Sequence, residues 1–163
     1  MKVIDFALEM EEMGKDYFRR LAAEASMTGV RTVFTMLAEE QQELYDTFLA
    51  IKRGASAHCN ADSQALERAR ETFARIFAPD GAHLALLKTD LAAYEHAMQV
   101  EAAIVSFCEE LAERERDEEA RALLREIAAE ERRHYDTVES IHDFVAAPRW
   151  HLCWGESSNL REM

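Results

Sequence analysis

Proline and glycine are scarce in this chain of 163 residues, which contains 2 prolines and 5 glycines. A β-sandwich or β-barrel needs a tight turn about every 8–12 residues, and such turns are built largely from these two residue types. Their scarcity therefore argues against an all-β fold and favours long helices. The length suits one compact domain with a sizeable core and is too short for two.

Cysteine and long apolar runs are equally limited. The cysteines are Cys59, Cys108 and Cys153, and none of them forms a CxxC pair, which fits neither a disulfide framework nor a four-cysteine metal site. No uncharged apolar run approaches the roughly 18 residues that span a bilayer. Asp5 makes the N-terminal segment acidic, unlike a signal or transit peptide. We therefore expect a cytoplasmic protein without a membrane segment.

Basic residues are outnumbered by acidic ones, with 19 Lys and Arg against 32 Asp and Glu and a formal net charge of −13. Such a surface repels phosphate backbones, so we expect no nucleic-acid partner. The apolar fraction of 48% is too high for a disordered chain. These numbers indicate an acidic, folded domain.

Apolar residues recur at intervals of three and four, which is the period of amphipathic helices. The predicted helices cover residues 3–25, 28–53, 63–77, 82–114 and 118–146, with a break at Pro79-Asp80-Gly81. We assign residues 1–147 to a helical bundle and residues 148–163 to an irregular tail. Trp150 and Trp154 in this tail suggest a contact surface, either with the bundle or with a neighbouring molecule.

The two halves of the chain repeat each other. A shift of 90 residues places Glu11 on Glu101 and Tyr45-Asp46-Thr47 on Tyr135-Asp136-Thr137, and no gap is needed across the long helices. A repeat of this kind indicates a helix hairpin that has been duplicated and joined by a long crossover, here with the short helix inside it. The sequence therefore predicts an all-α four-helix bundle with one long connection.

Several charged residues lie on the apolar stripes of these helices. Glu11, Glu101, Glu131 and His134 all occupy such core positions. An ionised carboxylate in a core costs several kcal/mol unless it is paired or bound to a metal ion. Glu131 and His134 lie one turn apart on one face and offer an oxygen and a nitrogen to a transition metal. The alternative is a buried polar network without metal that fixes the packing of the helices.

A known family shares this arrangement. The residues concerned are Glu11 with Gly14 and Phe18, Glu101, and Glu130-Glu131-Arg132-Arg133-His134-Tyr135. The chain resembles the rubrerythrin branch of the ferritin-like superfamily, in which two helices give one Glu each and two others give a Glu-x-x-His each, holding two irons. The resemblance implies a ferritin-like bundle, iron as the cofactor and a homodimer. Zinc or manganese would suit such mixed ligands about as well.

The first half departs from this pattern. Gln41 stands where the repeat predicts a partner for Glu131, and Leu44 stands opposite His134. Gln41 offers only a neutral carbonyl oxygen and is a weak fifth ligand beside Glu11, Glu101, Glu131 and His134. These four donors from three helices complete one metal sphere with water, and hardly two.

Other positions bear on the same question. Ile104 stands where rubrerythrins often have a further Glu. Glu40 and Glu43 flank the vacant position, but both point at least about 100° away from the Gln41 face, so each is a poor substitute ligand. The chain also lacks the paired CxxC motifs of the rubredoxin-like module in true rubrerythrins. Any redox turnover would therefore need an external electron donor.

Three functions remain open on this reading. The first is an iron-binding rubrerythrin-like protein with oxidoreductase, ferroxidase or peroxide-linked activity. The second is a non-catalytic ferritin-like scaffold or sensor, with a structural metal or none. The third is iron storage, which needs a closed shell of many subunits that nothing in the sequence encodes. No residue is assigned a catalytic role beyond metal binding.

Three further residues are interpreted structurally. Tyr45 and Tyr135 each follow a core position, so we expect tyrosines at the edge of the core with hydroxyls in water. Cys108 lies on an apolar stripe, where a free cysteine packs like a small apolar residue.

Overall fold

The computed structural model describes residues 2–54, 63–77 and 89–158. Its helices are α1 (Val3–Glu24), α2 (Thr28–Gly54), α3 (Ser63–Phe77), α4 (Asp90–Arg114) and α5 (Glu118–Ser158). These residues contain no strand, which confirms the predicted all-α ferritin-like bundle. Within the same ranges, no helix has a stretch long and apolar enough to cross a bilayer.

The bundle consists of two helix hairpins. Helix α1 packs along α2, and α4 packs along α5. The two hairpin turns are closed in the same way, because Arg31 donates a hydrogen bond of 3.1 Å to the carbonyl oxygen of Ala25, and Arg121 donates one of 2.7 Å to that of Glu115. The 90-residue repeat therefore extends to the contacts that end one helix and orient the next.

Helices α1 and α4 run antiparallel. The side chain of Asp90, at the start of α4, accepts hydrogen bonds from the backbone amides of Ser26 and Met27, just beyond the end of α1. Further along, the Tyr17 hydroxyl lies 2.7 Å from Nδ1 of His96. These contacts join the two hairpins at the end of the bundle where the α1–α2 turn lies.

Helix α3 crosses from one hairpin to the other and packs against α1 and α4. Its buried face presents Leu66, Phe73 and Phe77, and the Phe73 ring meets Phe107 of α4 edge-on. Arg20 of α1 donates to the carbonyl oxygen of Phe77 at the end of α3. The short helix predicted in the crossover is therefore packed against the bundle, and it covers the side formed by α1 and α4.

A layer of aromatic rings fills the core beside the α1–α2 turn. Tyr17 contacts Phe18, Phe18 stacks near Phe34 with centroids 6.2 Å apart, and Phe34 lies 4.9 Å from Tyr94. All four rings are buried. Since Tyr17 follows Glu11 by six residues, this layer lies about 9 Å along the helix axis from that carboxylate. It excludes water from one end of the core.

The C-terminal part of the chain differs from the prediction. Helix α5 continues through Pro148 to Ser158, so the irregular structure predicted from residue 148 is wrong up to that point. A proline inside a helix removes one hydrogen bond and introduces a kink, but neighbouring turns can carry the helix past it. Residues 159–163 and the predicted breaker at 79–81 lie outside the described residues, and the domain boundary at residue 147 stays a prediction.

The start of the third long helix is also set by a specific cap. Thr89 accepts a hydrogen bond from the backbone amide of Ala92, and the N-terminus of α4 is therefore at Asp90. The predicted start at residue 82 falls outside the described ranges. Asp117 caps α5 in the same way, through the backbone amide of Ala120.

Candidate metal centre

A single cluster contains the buried charged and amide side chains of the described part of the chain. Its members are Glu11, Gln41, Glu101, Glu131 and His134, and each is at most 4% exposed. They come from all four helices of the bundle, because α1, α2 and α4 each supply one residue and α5 supplies two. The structure thus brings together every residue that the sequence indicated for the metal site. Their role as ligands stays a prediction.

Three of these residues form a compact set of donors. Glu101, Glu131 and His134 each offer one ligand atom, and these atoms all lie within 4.8 Å of one another. An oxygen of Glu131 lies 3.5 Å from Nδ1 of His134, as expected for residues one helical turn apart. Glu11 is outside this closest set, but it is wholly buried and its carboxylate interacts electrostatically with Glu131.

The cluster has many hydrogen-bond acceptors and few donors. Both carboxylate oxygens of Glu11 and one oxygen each of Gln41, Glu101 and Glu131 are buried without a hydrogen-bond donor. These are five of the nine such side-chain atoms found in the described residues. Buried acceptors in folded proteins nearly always have a partner. Oxygens that converge without donors are what a cation would satisfy, so the donor set fits a metal ion.

Burial governs the ionisation of two of the acids. It raises the pKa of Glu11 well above the usual range, and the negative charge of Glu131 adds to the effect. Burial likewise raises the pKa of Glu101, as do the charge of Glu131 and a hydrogen bond to it. Without a metal ion, these two side chains therefore tend to hold protons, and the Glu101 carboxyl donates to Glu131.

For Glu131 and His134, hydrogen bonds and neighbouring charges outweigh burial in setting the pKa. Burial alone would raise the pKa of Glu131, but hydrogen bonds from Glu101, His134 and Gln41 outweigh it, and the pKa is lowered. Burial alone would lower the pKa of His134, but its hydrogen bond to Glu131, with the charges of Glu131 and Glu40, raises it. The negative charge of the metal-free cluster therefore resides on Glu131, next to the imidazole.

Gln41 turns into the cluster. Its Nε2 lies 3.1 Å from Nδ1 of His134. Its amide also fills the space in front of Gly14, where an added Cβ would lie 2.8 Å from Oε1 of Gln41. Leu44, one turn further along α2, is half-buried and packs against the core. The first hairpin thus contributes an amide where the second contributes Glu131.

A groove reaches the cluster between α2 and α5. It has a volume of about 510 Å³, and His134 forms part of its wall. The other lining residues are Glu40, Glu43, Leu44 and Thr47 of α2 and Glu126, Glu130, Arg133 and Thr137 of α5. The groove is therefore rich in carboxylates and lies on the side of the bundle that α3 does not cover.

Glu40 has a place that the sequence did not predict. Its carboxylate lies 3.4 Å from Nε2 of His134, whereas Glu131 and Gln41 face Nδ1 of the same ring. Glu40 therefore contacts the imidazole from the groove side, and does not complete the inner set of donors. Helical spacing indicated only that Glu40 points away from the Gln41 face. Its contact with α5 depends on how the two hairpins pack.

The pair formed by Tyr17 and His96 was also missed. Tyr17 is 1% exposed, and burial raises the pKa of its hydroxyl, with the charge of Glu101 adding to the effect. The hydroxyl therefore stays protonated and shares a hydrogen bond with Nδ1 of His96. The two residues are 79 positions apart, so no local pattern could have paired them.

The remaining interpretations of single residues agree with the structure. Tyr45 and Tyr135 are half-buried, and the hydroxyl of Tyr135 donates to Glu139. Cys108 is buried in the apolar core, and burial raises the pKa of its thiol. None of these contacts adds a donor to the cluster.

The comparison with protein families agrees with the helices and the cluster. The family model for rubrerythrin matches residues 2–141. The chain belongs to the rubrerythrin family. No curated protein and no solved structure matches it. The matched range includes every residue of the cluster, so in this rubrerythrin-family chain the cluster contains an intact Glu-x-x-His, at Glu131 and His134, and Gln-x-x-Leu at the position related by the repeat.

Proposed function

We propose that this rubrerythrin-family protein binds iron through Glu11, Glu101, Glu131 and His134, with Gln41 as a weak neutral neighbour. The observation that carries the proposal is the convergence of five buried oxygen atoms without hydrogen-bond donors. The family match supports the same reading. A network that served packing alone would depend on the protons held by Glu11 and Glu101 as donors for these oxygens.

The chemistry of the donors suits iron. Carboxylate oxygens with one imidazole nitrogen bind iron, zinc and manganese, and the family favours iron among them. When bound there, iron supplies one-electron exchange with oxygen or peroxide, which corresponds to ferroxidase or peroxide-linked activity. Electrons for repeated turnover come from an external donor, since the chain has no paired CxxC motifs.

The protein residues have distinct parts in binding. Glu131 is the carboxylate that stays ionised without metal, so it is the first anionic donor that an entering cation meets. Glu11 and Glu101 give up their protons to bind, so metal uptake releases protons and strengthens as the pH rises. Glu40 faces Nε2 of His134 and orients the ring so that Nδ1 faces the cluster.

The surroundings limit access to one side. The aromatic layer blocks the end near the α1–α2 turn, and α3 covers the side formed by α1 and α4. The groove between α2 and α5 leads to His134. Cations and small oxidants therefore reach the cluster through a carboxylate-lined passage, whose negative potential raises the local concentration of cations.

A second candidate function is a non-catalytic scaffold or sensor. The observation that favours it is the loss of two donors in the first hairpin, where Gln41 and Leu44 stand. In this case the cluster holds a structural metal ion, or it remains a protonated network. Oxygen consumption by the Fe(II)-loaded protein distinguishes the candidates, because only the first predicts turnover.

The deciding experiment measures the metal content per chain after anaerobic loading with Fe(II) and desalting. We expect the wild type to retain iron and Glu131→Ala to lose it. Glu130→Ala is the matched control, since Glu130 is the adjacent acid on α5, paired with Arg133 at the surface. A wild type without metal, or equal retention by both variants, would overturn the proposal.

Assembly is a separate proposal. We propose a homodimer, on the basis of the family alone. Size-exclusion chromatography with light scattering tests it, and a dimer would also argue against storage of iron in a closed shell. A shell of many subunits would overturn the dimer and favour storage.

A further inference from the structure

The two hairpins contribute unequally to the cluster. In the 90-residue repeat, Gln41 corresponds to Glu131 and Leu44 to His134. Gln41 is nonetheless 2% exposed and lies among the acids, so the position is still part of the centre. What has changed is the chemistry of the side chain, from an anionic ligand to a neutral amide.

The Gln41 amide has a polar partner at its nitrogen and lies against α1 at its oxygen. Its Nε2 lies 3.1 Å from Nδ1 of His134, and the amide helps to lower the pKa of Glu131. Its Oε1 has no hydrogen-bond donor and faces α1 at Gly14. The amide thus extends from α2 across the cluster and presents its N–H groups to the carboxylate and imidazole of α5.

Gly14 provides the room for this arrangement. An added Cβ there would lie 2.8 Å from Oε1, 3.0 Å from Cδ and 3.3 Å from Nε2 of Gln41. The position related to Gly14 by the repeat is Ile104, which is buried. The space in front of the amide therefore exists only in the first hairpin.

An amide in this place can satisfy the same neighbours as a cation. In the metal-free protein its N–H group donates to Nδ1 of His134 when that nitrogen carries no proton, and it faces Glu131. It does so without adding charge, and it lacks the second carboxylate and the imidazole that another metal ion would need. Leu44 adds an apolar side chain on the same side.

We propose that the Gln41 amide, seated against Gly14, occupies the first hairpin's half of the centre, so that the centre holds one metal ion and Gln41 determines that number. This inference rests on the proposed metal binding and specifies its stoichiometry. It makes the site of this chain asymmetric, with the metal ion on the side of Glu131 and His134.

The test restores the repeat by the double substitution Gln41→Glu and Leu44→His. Elemental analysis after Fe(II) or Co(II) loading should give one ion per chain in the wild type and two in the double variant. Manganese gives an independent readout, because two adjacent Mn(II) ions couple magnetically and change the electron paramagnetic resonance spectrum of a single ion. Gln42→Glu is the matched control for charge, and it should stay at one ion.

Each outcome of this test is decisive. One ion in the wild type and two in the double variant support the inference. Two ions in the wild type overturn it but leave the proposed metal binding intact, whereas no ion in the wild type overturns both. One ion in a double variant with wild-type helicity overturns the inference. If the double variant does not fold, Gln41→Glu alone decides, because a second binding event supports the inference and a single event overturns it.

Discussion

The hydroxyl of Tyr17 on α1 lies 2.7 Å from Nδ1 of His96 on α4. Burial and the charge of Glu101 raise the pKa of Tyr17, so the phenol remains protonated in this hydrogen bond. This hydrogen bond joins the two hairpins beside the aromatic layer, on the side of the cluster away from the groove. It is one of the polar links between the two halves, together with those from Asp90 to Ser26 and Met27 and from Gln41 to His134.

Loss of this link should reduce the free energy of unfolding. Tyr17→Phe removes the hydroxyl and its hydrogen bond to His96, at a cost of about 1 kcal/mol. Tyr135→Phe is the control, since that hydroxyl donates to Glu139 near the surface and its removal should cost close to zero. Urea unfolding of the metal-free variants measures both values. Equal losses would show that the link is not specific.

Gly14→Ala tests the space in front of Gln41. Alanine favours a helix by about 1 kcal/mol over glycine, but its Cβ would displace the Gln41 amide, and crowding a packed core costs about 1–3 kcal/mol. Gly29→Ala is the control, because an added Cβ there meets nothing within 4 Å. We expect Gly14→Ala to be less stable than Gly29→Ala by about 1–2 kcal/mol in urea unfolding. Equal stabilities would mean that the amide moves aside freely.

The stability of the metal-free protein should fall as the pH rises through neutrality. Glu11 and Glu101 have a raised pKa in the folded state, so their contribution is complete below the ordinary carboxyl value of 4.5 and is lost as the pH rises toward their raised values. The pKa of His134 is also raised in the folded state, so its contribution to stability likewise falls as the pH rises above 6.5. The pKa of Glu131 is lowered in the folded state, so its contribution to stability is lost only as the pH falls below 4.5.

Thermal unfolding between about pH 5 and pH 8, after chelation, checks this dependence. Glu101→Gln keeps the shape of the side chain but cannot ionise, so its stability should vary less with pH than that of the wild type. Glu113→Gln, on an exposed face of the same helix, should leave the dependence unchanged. A wild type whose stability rises with pH over this range would contradict the prediction.

The acidic groove between α2 and α5 should increase the rate of metal uptake. Glu43 and Glu126 line it without being members of the inner cluster, so their joint replacement by Gln should slow metal uptake about two- to tenfold at low salt. Stopped-flow absorption with Co(II) measures the rate, and high salt should reduce the difference. The control replaces Glu39 and Glu119, which are exposed on α2 and α5 away from the groove. Equal slowing by both pairs would indicate a general effect of net charge.

The sequence predicts the helices and the buried donors because both depend on local spacing. The period of three and four identifies α1, α2 and the crossover helix α3 within about a residue of the observed ends. The same period places Glu11, Glu101, Glu131 and His134 on inward stripes, and the repeat identifies Gln41 as their fifth neighbour. The prediction failed at the end of α5, since the pattern alone does not reveal that this helix continues past Pro148.

By itself, then, the amino-acid sequence determined which residues are buried. It also showed that the two halves form the same kind of helix hairpin but contribute different side chains to the cluster. The tertiary structure decided which atoms meet. Glu40 faces His134 Nε2, Gln41 faces Nδ1, and Gly14 makes room for the amide. The physical reason is that helical spacing fixes the direction of a side chain from its own axis, whereas a contact between helices also depends on their separation, crossing and rotation.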